Sequence, residues 1–273
     1  MRLKQHKKNK QSSGEICNSK CNSLCNSTGL NQLMFFTPNG GKQNVIPLTE
    51  QIQQFASVRS SLMAAMGPVP TLRFPSKSLL FISIGSNDIF EYYHSNNKLS
   101  KECFLANLRF AYENQLKVLL ELGARKFGII SVLSIGCCPS QRLYSPNGDC
   151  LEELNDHARA FHTKIESILC RLSEEYQGLK YSLGNAYEIT INVIDNPLPF
   201  NFTNMKTACC GARRLTAESI CNPKANLCPS RDIYLFWDLF HPTEAGAQLA
   251  AVTLFYGPTR FVAPINFSQL ARA

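Results

Sequence analysis

Asp238 and His241 stand three residues apart in the run Phe236-Trp237-Asp238-Leu239-Phe240-His241-Pro242-Thr243-Glu244, near the end of a 273-residue chain. A carboxylate at that spacing, on a turn entering a helix, can accept a hydrogen bond from one imidazole nitrogen and fix the tautomer. The other nitrogen then faces outward as a general base. These are two members of a hydrolytic triad, and the nucleophile must come from elsewhere. The structural alternative is that Asp238 caps the last helix and His241 is a surface residue. A second cluster, Gly85-Ser86-Asn87-Asp88, ends an apolar run. The Asn87 amide can donate to an oxyanion, and Gly85 lets the backbone bend close to a bound carbonyl. The same residue types also make a good turn for backbone reasons alone. His6, His94, His157 and His162 have no comparable partner, and His157 and His162 read as solvated helix positions.

The elements that must position these groups follow from hydrophobic spacing. Residues 49–66 carry Ile52, Phe55, Val58, Leu62 and Met66 at intervals of three and four, which predicts an amphipathic helix. Residues 78–84 form an apolar run stopped by the Asn87 turn, and residues 126–132 form another, both read as buried strands. Between them residues 101–122 predict a helix closed by Gly123. Strand, helix, strand with continuous apolar strands is the pattern of a parallel sheet covered on both faces. Residues 151–176 predict the longest helix, 179–187 a strand, and 186–195 a short helix. Residues 203–231 are cysteine-rich and read as a disulfide-tied loop, and Pro242 is expected to open the last helix. Chemistry in open α/β sheets collects at the carboxyl ends of strands. Asn87 follows one strand and Asp238 and His241 follow the apolar run 234–236, so both clusters are expected on one edge.

Composition bounds the remaining possibilities. With 44% hydrophobic residues the chain can bury one substantial core, and no apolar run approaches the roughly 20 residues that cross a bilayer. A soluble protein with no transmembrane segment is expected. The net charge of +8 owes five positive charges to Arg2, Lys4, Lys7, Lys8 and Lys10, so it reads as a solvated tail and not a nucleic-acid surface. Residues 1–44 form a basic, Cys/Asn/Ser-rich leader read as disordered, and residues 45–273 form one domain. Cys17, Cys21 and Cys25 recur every four residues, yet no fourth ligand completes a zinc site, so no metal is assigned. The 12 cysteines, with Cys137, Cys138 and Cys150 and then Cys209, Cys210, Cys221 and Cys228 grouped closely, indicate disulfides made in an oxidising compartment. Asn201-Phe202-Thr203, Asn266-Phe267-Ser268 and Asn26-Ser27-Thr28 fit the glycosylation pattern. The first ten residues carry charge without the apolar stretch of a signal peptide, so body and start point to different compartments.

Ile84-Gly85-Ser86-Asn87-Asp88, Gly136-Cys137-Cys138-Pro139-Ser140-Gln141-Arg142, Ala208-Cys209-Cys210-Gly211 and Trp237-Asp238-Leu239-Phe240-His241-Pro242-Thr243-Glu244, taken together and in order, resemble the plant GDSL esterase/lipase branch of the SGNH hydrolases. The resemblance covers the chain from about residue 44 onward. It implies a three-layer α/β/α, flavodoxin-like domain that hydrolyses carboxylic esters, acyl or lipid-like, through a Ser acyl-enzyme, with no cofactor. By the same resemblance Asn87 is the oxyanion donor, His241 the base and Asp238 the residue that orients it. Cys137 and Cys150 match one disulfide, while Cys209, Cys210, Cys221 and Cys228 match two whose pairing stays open. Members of the family are typically secreted, glycosylated enzymes of lipid metabolism.

The chain departs from the family pattern in its first part. The Gly-Asp-Ser block that carries the nucleophile after the first strand has no counterpart, and Asn39-Gly40-Gly41 lies where a second oxyanion block is expected, without its neighbours. The expectation is therefore a truncated or divergent member lacking the first strand, for which Leu33-Met34-Phe35-Phe36 is a partial substitute. Ser83 and Ser86 flank the Asn87 turn, but that turn follows a different strand from the one that carries the nucleophile in the family. The alternative is a catalytically impaired relative that binds acyl esters or a protein partner.

Overall fold

The computed structural model describes residues 46–95 and 99–273. The leader residues 1–44, with Cys17, Cys21, Cys25, Asn26, the 33–36 run, Asn39-Gly40-Gly41 and the question of a first strand, lie outside the described residues. Among those described, the chain runs α1 (Leu48–Met66), α2 (Pro68–Lys77), β1 (Leu79–Ile82), α3 (Ser86–His94), α4 (Lys101–Glu121), β2 (Lys126–Ile130), α5 (Pro139–Arg142), α6 (Glu152–Glu175), β3 (Lys180–Gly184) and α7 (Ala186–Asp195). Then come β4 (Asn204–Ala208), β5 (Cys210–Gly211), β6 (Asn226–Leu227), β7 (Tyr234–Phe236), α8 (Glu244–Tyr256), β8 (Val262–Pro264) and α9 (Phe267–Arg272).

The central sheet has the order β1-β2-β3-β8. β1, β2 and β3 are parallel, with Leu80 opposite Phe127 and Phe127 opposite Tyr181, and β8 is antiparallel to β3. The long crossovers α4 and α6 pack on each other and on one face of the sheet, as parallel strands require of their connections. Their buried stripes, Phe104, Leu108, Tyr112 and Leu116 on α4 and Leu154, Phe161, Ile165 and Leu172 on α6, make the main core with Ile82, Phe127, Ile129 and Leu183. On the opposite face Phe81 meets Phe267 of α9 at 5.3 Å between ring centroids. The result is a three-layer α/β/α arrangement with a largely parallel sheet, as the sequence resemblance implies. β1 ends the described sheet, and its Phe81 is 59% exposed.

Four expectations are corrected. The run 234–236 is a strand, but β7 pairs in parallel with β4 in a separate two-stranded sheet and not with the central one. The helix expected to open at Pro242 is α8, which starts at Glu244 because Thr243 takes the cap position and Pro242 bridges back to Phe236, and it is not the last, since α9 follows. On α1 only Leu48 and Ile52 are buried, while Val58 and Met66, on the same apolar stripe, are exposed. Among the described residues that helix makes its main contacts with α2 and α4. His157 is not solvated but 1% exposed, its Nδ1 2.7 Å from the Glu153 carbonyl among the rings of Tyr92 and Phe104. His162 is also largely desolvated, and burial lowers its pKa.

Candidate active site

The turn after β7 is built by Asp238. Its Oδ1 accepts from the backbone N–H of Phe240 at 2.9 Å and of His241 at 2.8 Å, and its two oxygens lie 3.0 Å from His241 Nδ1. The helix that follows is capped by a different residue, since Thr243 Oγ1 accepts from Gly246 N at 3.1 Å and donates to Tyr234 O at 2.7 Å. The carboxylate is therefore not the helix cap, and three of its four contacts involve His241.

The electrostatics follow from those contacts. Burial pushes the Asp238 carboxyl up, but the bonds from the His241 ring and from the two backbone N–H groups outweigh it, so its pKa falls below the ordinary value. The hydrogen bond to Asp238 raises the pKa of His241 against a smaller opposing effect of desolvation. With Nδ1–H committed to the carboxylate, Nε2 of neutral His241 is the acceptor. The His241 side chain is 73% exposed and that of Asp238 22%, so the orienting group is sheltered and the base is open.

Asn87 is the second residue of α3, which starts immediately after Gly85. Gly85 has φ +113°, and a side chain there would place its Cβ 2.6 Å from Phe161 Cε1 of α6. Only glycine turns the chain from β1 into α3 at this point. The ring of Phe90, one turn after Asn87, packs edge-on against Phe240 at 5.5 Å. That contact ties the helix bearing Asn87 to the turn bearing His241, so the two clusters meet on one side of the molecule.

The segment after β2 locks this junction. A Cβ on Gly136 would sit 2.1 Å from Leu151 O and 2.9 Å from Asn155 Oδ1, so the loop passes against the start of α6 with no room for a side chain. Gly136 N donates to the fully buried Asn155 Oδ1 at 3.0 Å. Ser140 N donates to Leu239 O at 3.1 Å, and the Cys138 thiol lies 3.6 Å from Phe240 O. Burial pushes the Cys138 thiol up to about 12, so it is a packing group rather than a nucleophile. Arg142, 2% exposed, donates through Nε to Cys137 O at 2.7 Å and through its guanidinium to Gly148 O at 2.9 Å. Cys137 and Cys150 are disulfide-bonded across this loop, and the open pairing resolves as Cys209–Cys228 and Cys210–Cys221.

His94 has a partner that the sequence did not show, since its Nε2 lies 2.8 Å from Gln141 Oε1. Ser83 is exposed and Ser86 opens α3. Among the described residues no serine, threonine or cysteine side chain hydrogen-bonds His241, and no three His, Cys, Asp or Glu side chains gather as metal ligands. No helix of the described residues is long and apolar enough to cross a membrane.

Residues 12–253 match the family model described as GDSL-like lipase/acylhydrolase. The chain belongs to that family. The match begins inside the leader segment 1–44. Among curated relatives, the chain is 29% identical over 232 residues to the GDSL esterase/lipase LTL1 of Arabidopsis thaliana. It is 31% and 32% identical, over 236 and 231 residues, to the GDSL esterase/lipases At1g71250 and At5g55050 of the same plant. Each alignment covers 82% of this chain and 63%, 62% and 61% of the respective relative, so the chain spans less than two thirds of their length. The GDSL family is one of ester hydrolases.

Proposed function

We propose that this protein hydrolyses carboxylic esters, acyl or lipid-like, with His241 as general base, Asp238 as the group that orients it, and Asn87 as an oxyanion donor. The observation that carries the reading is the pair of 3.0 Å contacts from both Asp238 oxygens to His241 Nδ1, which leaves Nε2 to take a proton. In the first half-reaction a serine hydroxyl gives its proton to Nε2 while its oxygen attacks the ester carbonyl. The Asn87 side-chain amide would stabilise the oxyanion. Collapse expels the alcohol, which leaves with the proton from Nε2. Water then repeats the sequence on the acyl-enzyme, releasing the acid and the serine. Gly85 serves by setting the angle at which α3 presents Asn87.

The absence of a hydroxyl on His241 Nε2 among the described residues favours a second reading, a catalytically impaired relative that binds acyl esters or a protein partner. The two differ in turnover. Hydrolysis of p-nitrophenyl acetate and butyrate by protein made under oxidising conditions is expected to exceed that of His241→Ala by at least about 10³-fold. Equal rates from a cooperatively melting protein would leave only the second reading.

The disulfides suit an oxidising compartment, and secretion is part of the proposal. So is glycosylation at Asn201, which is exposed in a left-handed turn. Asn266 is the poorer acceptor, because its Oδ1 caps α9 through Gln269 N at 2.9 Å and Ser268 is 3% exposed.

A further inference from the structure

A continuous line of aromatic rings leads away from His241. Its ring meets Phe240 at 6.5 Å, Phe240 meets Phe90 at 5.5 Å, Phe90 stacks near His94 at 6.5 Å, and His94 lies against Tyr144 at 5.2 Å. Asn87, Phe90 and His94 occupy positions i, i+3 and i+7 of α3 and so share one stripe. At 1.5 Å per residue that stripe runs about 10 Å from Asn87 to His94, and Tyr144 lies beyond it. The line is a surface feature. His94 is exposed, Tyr144 is 66% exposed, and Phe90 and Phe240 are partly open. Two cavities among the described residues, of about 260 and 50 Å³, are lined by none of these rings.

The polar atoms along the line are also fixed. Gln141 Nε2 donates to Ser140 Oγ at 3.2 Å, which leaves its Oε1 to accept from His94 Nε2–H at 2.8 Å. In neutral His94 the other nitrogen, Nδ1, is then an acceptor. A strip of partly exposed rings ending in a tethered imidazole and a phenol suits a flat ring with a hydrogen-bonding substituent. A long alkyl chain laid there would stay half wet and leave the polar tips unused.

Resting on the ester-hydrolase reading, we propose that this strip is the acyl subsite. The preferred substrate is an ester whose acyl group ends in a hydroxyl-bearing aromatic ring, joined to the carbonyl by a short linker. The ring packs on Phe90, His94 and Tyr144, and its hydroxyl donates to His94 Nδ1. Tyr144 and His94 are specificity residues, outside the catalytic set.

The test uses the full chain and two matched sets of compounds. The methyl ester of hydroxyphenylpropionic acid is compared with those of phenylpropionic acid and nonanoic acid for hydrolysis. A hydroxyphenyl-substituted butanone, which cannot be hydrolysed, is compared with nonanone for binding, read from the NMR shifts of the His94 ring in the wild type and in His241→Ala. The aryl-to-alkyl ratio of kcat/KM is expected to fall about 2- to 13-fold in Tyr144→Ala, the worth of one ring–ring contact. In His94→Phe the advantage of the hydroxyl should vanish while the preference for a ring remains. The aryl ketone should move the His94 signals in both backgrounds and nonanone in neither. If no ester is hydrolysed but the aryl ketone still binds at His94, the subsite stands and the hydrolase reading falls. If esters are hydrolysed with an unchanged ratio in Tyr144→Ala, or the ketone leaves His94 unmoved, the subsite is overturned.

Discussion

Replacing Gly136 by alanine probes whether the loop after β2 holds the Asp238–His241 turn in place. The new Cβ would lie 2.1 Å from Leu151 O, where ordinary contact begins at 3.4 Å, so loop and helix must separate by about 1.3 Å. That opening breaks or stretches the bond from Gly136 N to Asn155 Oδ1 and the one from Leu151 N to Gly136 O at 2.9 Å. Overpacking of this kind costs about 1–3 kcal/mol. Leaving one of those buried groups unpaired adds about 1–3 kcal/mol. A total near 3 kcal/mol corresponds to a Tm lower by about 6–12 °C for a domain of this size. Gly178→Ala is the control: unlike Gly136 it has a positive φ, +80°, but nothing lies within 4 Å of its Cβ, so only the backbone cost of about 1–2 kcal/mol applies. Calorimetry of both variants under oxidising conditions reads the difference. The same displacement, passed through Cys138 and Ser140 to the turn, should lower esterase activity by about 10²-fold. A Gly136→Ala protein that melts with the wild type, or above Gly178→Ala, would refute the idea that this loop is a close-packed clasp.

Further outcomes are expected. Asp238→Asn should lower the pKa of His241 from its raised value, seen as a shift of the imidazole NMR titration to lower pH, with kcat down about 10⁴-fold. In the wild type the rate should climb as pH rises through the raised His241 pKa, because the base must be neutral. The stability signs are opposite: the raised His241 contributes stability below its unfolded value that is lost as pH rises through its folded one. The lowered Asp238 contributes stability above its unfolded value that is lost as pH falls through its folded one. Removing the disulfide that closes 19 residues, by Cys209→Ser with Cys228→Ser, should cost about 3 kcal/mol in chemical denaturation. Thr243→Ala loses the cap of α8 and the bond to Tyr234 O, and should cost about 2 kcal/mol in the same assay.

The parts of this fold that were legible in the sequence are those whose signal is local. The apolar runs at 79–82 and 126–130 and the long amphipathic repeat of α6 mark their elements because a buried strand or helix face must be apolar along its own length. The Asp238–His241 pairing was legible because three residues on a turn bring the groups together whatever else the chain does. What was not legible depends on distant partners. Tyr234, Leu235 and Phe236 look like any buried strand, and only the position of β4 assigns them to a second sheet. The pairing of Cys209 with Cys228 rather than Cys221 is set by the β5–β6 ladder, a contact with no sequence signature. His157 and His94 looked unpartnered because a backbone carbonyl and the Gln141 amide leave no mark at helical spacing. Phe90, which joins the two clusters, read as one more apolar residue.

The central claim is that His241 activates a serine. The most direct measurement is labelling with a fluorophosphonate probe, which bonds only to an activated serine, followed by intact-mass and peptide mapping of the wild type and of His241→Ala. The account predicts one probe per wild-type chain on a single serine, abolished in His241→Ala. No label on a cooperatively folded wild type, or equal labelling of both proteins, would contradict it.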